Sequence, residues 1–327
     1  LSGIQGSYGL RVPNIFKHYQ NSQVYYDETV IDGKNGEITV NGSHNVGTSV
    51  SKLITGSERV LQYQSGNLTS QPVDGAKTYL VARPNTDPIG NIYNLNILVK
   101  GTENIGLLRK SDYMEGNNVS TDGKTRARND FVITDSHVER IDFSSDAKGG
   151  ILFRTDKFGI DMSKDNFIVT AMQNRSLDAS GNDLYNIVML ANGTTNAARI
   201  NAPANLYLNL AADSLVKVKN TKPITIGSAP NTGYNMIGLM GYNGGVVENN
   251  ADITINTKNS IGVAIKGIAE RTDNSGTVLE SKESSGNSNN SNIKMTGDNS
   301  IGVYNNGRLY TMNGGSIEIE GASSTWI

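Results

Sequence analysis

The chain has 327 residues, of which 36% are hydrophobic and 18% charged, and its formal net charge is −2. This balance lacks the basic excess with which proteins bind nucleic acids or anionic membrane surfaces. Cysteine is absent, so thiol catalysis and Cys-ligated metal sites are excluded. Glycine, with 36 residues, and asparagine are abundant, which predicts many short strands joined by turns.

Residues 1–35 contain several aromatic side chains but not the repeat that dominates the rest of the chain. The open end of a stack of strands exposes both strand edges and core side chains to water. We therefore predict that residues 1–35 form an amino-terminal cap on the repeats that follow.

One pattern recurs four times, as ITVNGSHNVG (38–47), ILVKGTENIGL (97–107), ITINTKNSIGV (253–263) and IKMTGDNSIGV (293–303). In each segment an apolar–x–apolar pair is followed by turn-forming residues, by Asn or Asn-Ser, and by an Ile-Gly or Val-Gly step. The offset from the first Ile to the residue before Gly is eight in all four segments. A constant offset indicates a structural repeat rather than a biased composition.

The length of the repeat follows from the spacing of its isoleucines. Ile237 lies 24 residues before Ile261. Ile293 lies 24 residues before Ile317 but 40 after Ile253, which predicts an insertion of 16 residues. A unit of about 24 residues with two or three short strands is typical of a solenoid. The predicted repeat positions are Ile38, Val46, Gly47, Ile97, Ile105, Gly106, Ile237, Gly238, Ile253, Ile261, Gly262, Ile293, Ile301, Gly302 and Ile317.

Strand geometry predicts how these units are arranged. In DITIN, Ile253 and Ile255 point to one face and the polar residues to the other. Two to four inward side chains per strand are too few to form a core within one coil. Coils stacked about 4.8 Å apart would align these side chains with those of the next coil and pair the strands in parallel. The sequence therefore predicts an all-β, right-handed parallel β-helix over residues 36–327. A sandwich of antiparallel hairpins is the alternative, although it would not produce one constant period.

The repeated phrase NSIGV, at 259–263, is expected to form a corner and the strand that follows it. Asn259 turns the chain, since Asn tolerates a positive φ. Ile261 and Val263 are expected to enter the core. Strict alternation then places Gly262 on the outward face.

Elsewhere the predicted elements are less regular. Residues 108–130 are rich in charged and turn-forming residues and are predicted to form an outward insertion. Residues 131–227 contain short alternating segments without the Ile-Gly step, which predicts irregular coils. The repeat returns from residue 234, and residues 269–292 form the second predicted insertion. No linker is evident, so residues 36–327 are predicted to form one elongated domain.

Catalytic motifs are absent from the sequence, which contains no G-x-S-x-G, P-loop or H-E-x-x-H pattern. A polysaccharide-cleaving enzyme needs two carboxylates about 5–10 Å apart, and outward Asp252 and Glu318 could align across coils. The equivalent residues in the 293–303 unit are Asn292 and Lys294, so the row is not kept acidic. We predict that the protein is not an enzyme and has no metal or cofactor.

The segments NADITINTKNSIGVAIKG (250–267) and NSIGVYNNG (299–307) resemble the passengers of large fusobacterial type V autotransporters, which contain Asn- and Gly-rich units of this kind. The resemblance is clearest over 234–327, with further matches at 36–47 and 97–107. It implies display outside the bacterial outer membrane by a carboxy-terminal β-barrel of the same full-length chain. It also implies a virulence role as an adhesin or adhesin stalk that binds a protein or glycan on host cells or other bacteria.

The resemblance supplies no catalytic or ligand-binding residues that can be transferred to this chain. Because binding diversifies in loops between coils, we predict that 269–292, and then 108–130, bind the partner. The candidate binding residues are Glu270, Arg271, Asp273, Lys282 and Glu283. Two alternative functions are a secreted β-helical enzyme acting on polysaccharide and a toxin-type passenger. No nucleic-acid partner and no direct membrane insertion are expected, and the natural protein is expected to continue with another coil after Ile327.

Overall fold

The computed structural model describes residues 8–12, 16–20, 23–27, 31–33, 36–50, 59–63, 78–82, 92–109, 131–156, 159–193, 216–266, 271–272, 278–280, 287–306 and 310–325. Within these ranges the chain forms strands and turns and contains no helix. In chain order the strands are β1 (Tyr8–Val12), β2 (Phe16–Gln20), β3 (Gln23–Asp27), β4 (Ile31–Asp32), β5 (Ile38–Val40), β6 (Val46–Val50), β7 (Arg59–Tyr63), β8 (Thr78–Ala82), β9 (Ile92–Tyr93), β10 (Leu95–Val99), β11 (Ile105–Arg109), β12 (Phe131–Ile133), β13 (Val138–Phe143), β14 (Ile151–Thr155), β15 (Gly159–Met162), β16 (Phe167–Val169), β17 (Asn186–Asn192), β18 (Lys217–Asn220), β19 (Ile224–Ile226), β20 (Met236–Tyr242), β21 (Val246–Asn249), β22 (Ile253–Ile255), β23 (Ile261–Lys266), β24 (Arg271–Thr272), β25 (Val278–Glu280), β26 (Asn287–Asn289), β27 (Ile293–Met295), β28 (Ile301–Asn306), β29 (Tyr310–Met312) and β30 (Ile317–Ile319).

The strands stack into three faces. Eight parallel strands form the first face, in the order β1-β6-β11-β14-β17-β20-β23-β28, and six form the second, in the order β12-β15-β18-β21-β26-β29. The third face contains two parallel sheets, β5-β10-β13 and β16-β19-β22-β27-β30. A complete coil places one strand on the third face, then one on the first and one on the second, as β22, β23 and β26 do. The prediction of an all-β chain with parallel strands stacked in order is confirmed, and the antiparallel sandwich is wrong.

Smaller sheets accompany this solenoid. Strands β2, β3, β7 and β8 form a four-stranded antiparallel sheet, β24 pairs antiparallel with β25, and β4 pairs parallel with β9. Strand β1 lies beside β6, at the first position of the first face. Residues 1–35, predicted as a cap, therefore contribute strands both to the solenoid and to the antiparallel sheet.

The register of the strands aligns the repeated isoleucines. The paired positions are Ile38 with Ile97, Val46 with Ile105, Ile237 with Ile261, Ile261 with Ile301, Ile253 with Ile293, and Ile293 with Ile317. Where two successive coils are 24 residues apart, Met236 N donates a hydrogen bond to Ser260 Oγ in the next coil. The longer step from Ile253 to Ile293 contains an insertion between β23 and β26. Asn287–Asn289 form a strand of the second face, so the last residues of the predicted insertion 269–292 belong to the regular coil.

Inward side chains from the three faces form one central apolar cluster. A third-face column contains Ile224, Ile253 and Ile293, each 1% exposed or less. Leu239 and Val263 belong to a first-face column and are fully buried in the same cluster. Burial of one such Ile contributes about 1.5–3 kcal/mol, so the core grows with each coil that is added.

The glycine of the Ile-Gly step faces the core, and the outward orientation predicted for it is wrong. A Cβ on Gly262 would lie 2.6 Å from Ile293 Cγ2 and 2.5 Å from the Gly302 carbonyl oxygen. Ile261 belongs instead to a second apolar cluster, separate from the central one. Strict alternation fails at this step, because Gly262 and Val263 both face the central cluster while Ile261 packs in the second one.

The Asn-Ser part of the motif forms the corner between the third and first faces. Asn259 and Asn299 have φ values of 50° and 54°, a left-handed conformation that Asn tolerates. The residue after each is a buried serine whose Oγ accepts a backbone N–H from the preceding coil. Ser260 Oγ accepts from Met236 N at 3.1 Å, and Ser300 Oγ accepts from Ser260 N at 3.2 Å. The motif therefore encodes a ladder of hydrogen bonds between coils.

Substitution of Ser260 by Ala is expected to destabilise the solenoid by about 1–3 kcal/mol, because the buried Met236 N–H loses its acceptor. The control is Ser316→Ala, since Ser316 is exposed and its hydroxyl bonds to the exposed Asn292 side chain. The control should change stability by less than about 0.5 kcal/mol. Urea denaturation of both variants measures the difference, and equal stabilities would contradict the ladder.

Candidate functional site

The three corners of the solenoid differ in length. Between the second and third faces, short connections run over 221–223, 250–252 and 290–292. Between the third and first faces they run over 41–45, 100–104, 144–150, 227–235, 256–260 and 296–300, and the longest is 170–185. Between the first and second faces, short connections over 156–158, 243–245 and 307–309 alternate with long ones over 110–130, 193–216 and 267–286. The strand ends that flank these long connections all lie at one corner.

We define the variable edge as the residues at or just after the ends of five first-face strands, namely Asp156, Asn192, Tyr242, Lys266 and Asn306. Asn192, Tyr242, Lys266 and Asn306 are in register on successive coils. Asp156 joins the row because Asn192 Nδ2 donates to its Oδ1 at 3.1 Å. At about 4.8 Å per coil, the row is about 20 Å long.

The variable edge combines several kinds of binding group. Tyr242 is 42% exposed, and Lys266 and Asn306 are also exposed. Asp156 Oδ1 accepts from Arg154 Nε at 2.7 Å, which fixes the carboxylate at one end of the row. The variable edge therefore offers a carboxylate acceptor, two amides, an aromatic ring and a cation in one row. Such groups can form hydrogen bonds and stacking contacts with a polar partner. Within the described ranges no three His, Asp or Glu side chains are grouped so that they could hold a metal ion.

Asp252 and Glu318, considered as candidate carboxylates from the sequence, have separate structural roles. The Asp252 carboxylate accepts from the Ser291 hydroxyl and from the Asn292 backbone N–H. These hydrogen bonds, that of Ser291 first, lower the pKa of Asp252 and hold it ionised as a turn acceptor. Glu318 lies on β30 in register with Lys294, whose Nζ is 3.7 Å from Glu318 Oε1. Each carboxylate is therefore engaged in contacts with a neighbouring coil.

Of the predicted binding residues, Arg271 alone lies within the described ranges. Arg271 is in β24, in register with Glu280 of β25, so the described part of this insertion is an antiparallel hairpin. Glu270, Asp273, Lys282 and Glu283 are outside the described residues, as are 110–130. Sequence spacing shows that insertions exist, but only the register of the coils shows that they leave from the same corner.

One structured protrusion was not predicted from the sequence. We call residues 171–185 the corner hairpin; it replaces the short turn between the third and first faces, and Leu177 and Asp183 form an antiparallel bridge within it. Arg175 donates to both carboxylate oxygens of Asp183, at 2.8 and 3.1 Å. The Arg175 hydrogen bond is the main cause of the lowered pKa of Asp183, and the pKa of Arg175 is raised in turn. The turn-rich segment DASGND, at 178–183, was the available sequence signal.

The corner hairpin is attached to the next coil through Asn235, whose φ is 56°. Its Nδ2 lies within hydrogen-bond distance of three hairpin acceptors, the Ser176 and Leu184 carbonyl oxygens at 3.0 and 3.2 Å and Asp183 Oδ1 at 3.3 Å. Asn259, one coil further along, donates to Asn235 Oδ1 at 2.7 Å. The stacked side-chain amides of Asn235 and Asn259 therefore hold the base of the hairpin in one position.

No protein-family model matches the chain, and no curated protein or solved structure matches it. In the described part of the chain no helix has the length and hydropathy needed to cross a membrane.

Proposed function

We propose that the chain is the passenger of a surface-displayed autotransporter and acts as an adhesin or adhesin stalk for host cells or other bacteria. In this proposal the solenoid is a right-handed β-helix, residues 1–35 cap its amino-terminal end, and the passenger is exposed outside the outer membrane. The observation that carries the proposal is the variable edge, where three long connections leave a regular scaffold from one corner.

The physical properties of a solenoid support this role. Each coil contacts only its neighbours, so coils can be added without redesign of the rest, and the protein can extend far from its attachment point. The other two corners contain the turns and ladders that specify the coil. Variation at the corner between the first and second faces changes the surface without disturbing those ladders, which is the arrangement expected of a binding scaffold. The engaged carboxylates Asp252 and Glu318 give an enzyme on polysaccharide less support.

Attachment of the purified, labelled chain to cultured host cells and to partner bacteria, measured by flow cytometry, tests the proposal. The matched variant replaces residues 267–286 by Gly-Arg-Leu, the 307–309 sequence that connects β28 to β29 in the next coil. Because loops inserted between coils carry the binding surface, attachment is expected to fall about tenfold or more while the thermal midpoint stays within a few degrees.

Three results distinguish the versions of the proposal. Loss of attachment by a folded variant supports an adhesin that binds through this insertion. Unchanged attachment would mean that residues 267–286 are not part of the binding surface and that other parts of the chain bind the cells. No attachment of the wild-type chain to either kind of cell would contradict the adhesin and leave only the stalk.

A further inference from the structure

The corner hairpin lies in the longest of the connections between the third and first faces. The six other connections at this corner are shorter and occupy residues 41–45, 100–104, 144–150, 227–235, 256–260 and 296–300. These short connections already complete the turn between two strands. The additional residues of the corner hairpin are therefore not needed to form the coil.

The corner hairpin is held rigidly although most of it is exposed. Asn235 contacts three acceptors at its base, and Arg175 and Asp183 form a bidentate pair across it. At its tip the Asp178 carboxylate accepts from the backbone N–H groups of Ser180 and Asn182, both at 2.8 Å. A loop that is ordered before it meets a partner avoids the entropic cost of ordering on binding.

Two aliphatic side chains project into solvent from this rigid element. Met172 is 63% exposed and Leu177 is 51% exposed, among the most exposed large apolar side chains of the described residues. Arg175 is neutralised by Asp183, and the second acid, Asp178, gives residues 171–185 a net charge of −1. The hairpin thus presents apolar groups on a weakly acidic element, without the basic charge that binds nucleic acids or anionic lipids.

We infer that the corner hairpin is a preorganised recognition element that inserts Met172 and Leu177 into an apolar, basic-rimmed pocket on a protein of the target-cell surface. This inference rests on the proposed adhesive function and names the class of partner. A protein is favoured over a glycan because the exposed groups are aliphatic, whereas sugars stack on aromatic rings. It is favoured over a membrane because two side chains on an acidic hairpin do not form a continuous apolar or cationic face.

The test uses the folded chain and the same cells as the attachment assay. The double variant Met172→Ser with Leu177→Ser is expected to attach about tenfold more weakly, since anchoring side chains dominate binding. Met312→Ser is the matched control, because Met312 is 45% exposed on β29, outside the hairpin. Both variants should keep the wild-type thermal midpoint, because exposed side chains contribute little to stability.

A second pair of variants tests preorganisation separately from contact. Asn235→Gly removes the side chain that holds the hairpin. Asn299→Gly is the control, because Asn299 has nearly the same φ, 54° against 56°, at the same corner two coils further along, where its backbone N–H donates to the Ala322 carbonyl oxygen. Attachment is expected to fall several-fold for Asn235→Gly alone, because the loop must then be ordered on binding.

The outcomes separate this inference from the proposed function. If the wild-type chain attaches to no cells, this inference and the adhesin are both overturned, and only the stalk is left. If it attaches and the Met172/Leu177 double variant attaches equally well, the inference is overturned and the adhesin stands. Cells treated with trypsin should lose the hairpin-dependent attachment, whereas loss only after periodate oxidation of surface glycans would overturn the protein partner.

Discussion

Gly262→Ala is expected to destabilise the coils around β23 by about 3 kcal/mol, because the new methyl group would be forced into a filled core. Its Cβ would lie 2.6 Å from Ile293 Cγ2 and 2.5 Å from a backbone carbonyl oxygen, and neither can move without displacing the next coil. Native-state hydrogen exchange of the amides in β23 and β28 measures the loss locally, which suits a protein whose coils can open separately.

The matched control is Gly314→Ala. A Cβ at Gly314 would meet its nearest atom, the Asn290 carbonyl oxygen, at 3.5 Å, which is ordinary van der Waals contact. The control should change stability by less than about 1 kcal/mol in either direction. Equal effects of the two substitutions would mean that Gly262 does not face the core.

The sequence predicts the core of this fold well because the core is periodic. An apolar–x–apolar pair such as Ile253 and Ile255 predicts a short strand with both side chains on the same buried face, and the structure has this arrangement. The constant spacing of the Ile-Gly steps then predicts the register, and Ile237 and Ile261 are paired accordingly. Both inferences need only local geometry and one repeat length.

The prediction fails where the backbone departs from strict alternation. Gly262 was expected to face outward, but it and the next residue, Val263, both face the core. The serine ladder of Ser260 and Ser300 also depends on contacts between coils, which residue spacing within one coil does not show. Polar residues at such positions look like ordinary turn residues in the sequence.

The candidate surfaces are less predictable than the core for a related reason. Insertions 108–130 and 269–292 are evident from their composition, but the side on which they leave the solenoid depends on which face each flanking strand joins. The corner hairpin lies within 131–227, where the Ile-Gly step is missing and the period cannot be read. Its position follows only from tertiary contacts such as those of Asn235.

Deletion of residues 237–260 is expected to leave a folded protein, whereas deletion of 249–260 is expected to abolish the downstream solenoid. The longer deletion joins Met236 to Ile261, which already occupies the position of Ile237 one coil away. Strands β23, β26 and β27 then pair with β17, β18 and β19, so one coil is lost and the register is kept. Because stability is a sum over neighbouring coils, the thermal midpoint should fall by less than about 10 °C.

The shorter deletion removes β22 and its corner, so Glu248 on the second face would lead directly into the first-face strand β23. The third face is then interrupted, and the isoleucine columns that follow lose their partner at Ile253. The control removes twelve residues, 270–281, from the insertion instead, and should retain the fold because loops at an edge tolerate deletion. Circular dichroism and thermal denaturation of the three proteins distinguish the outcomes: a folded 249–260 deletion, or an unfolded 237–260 deletion, would contradict a solenoid whose unit is the 24-residue coil.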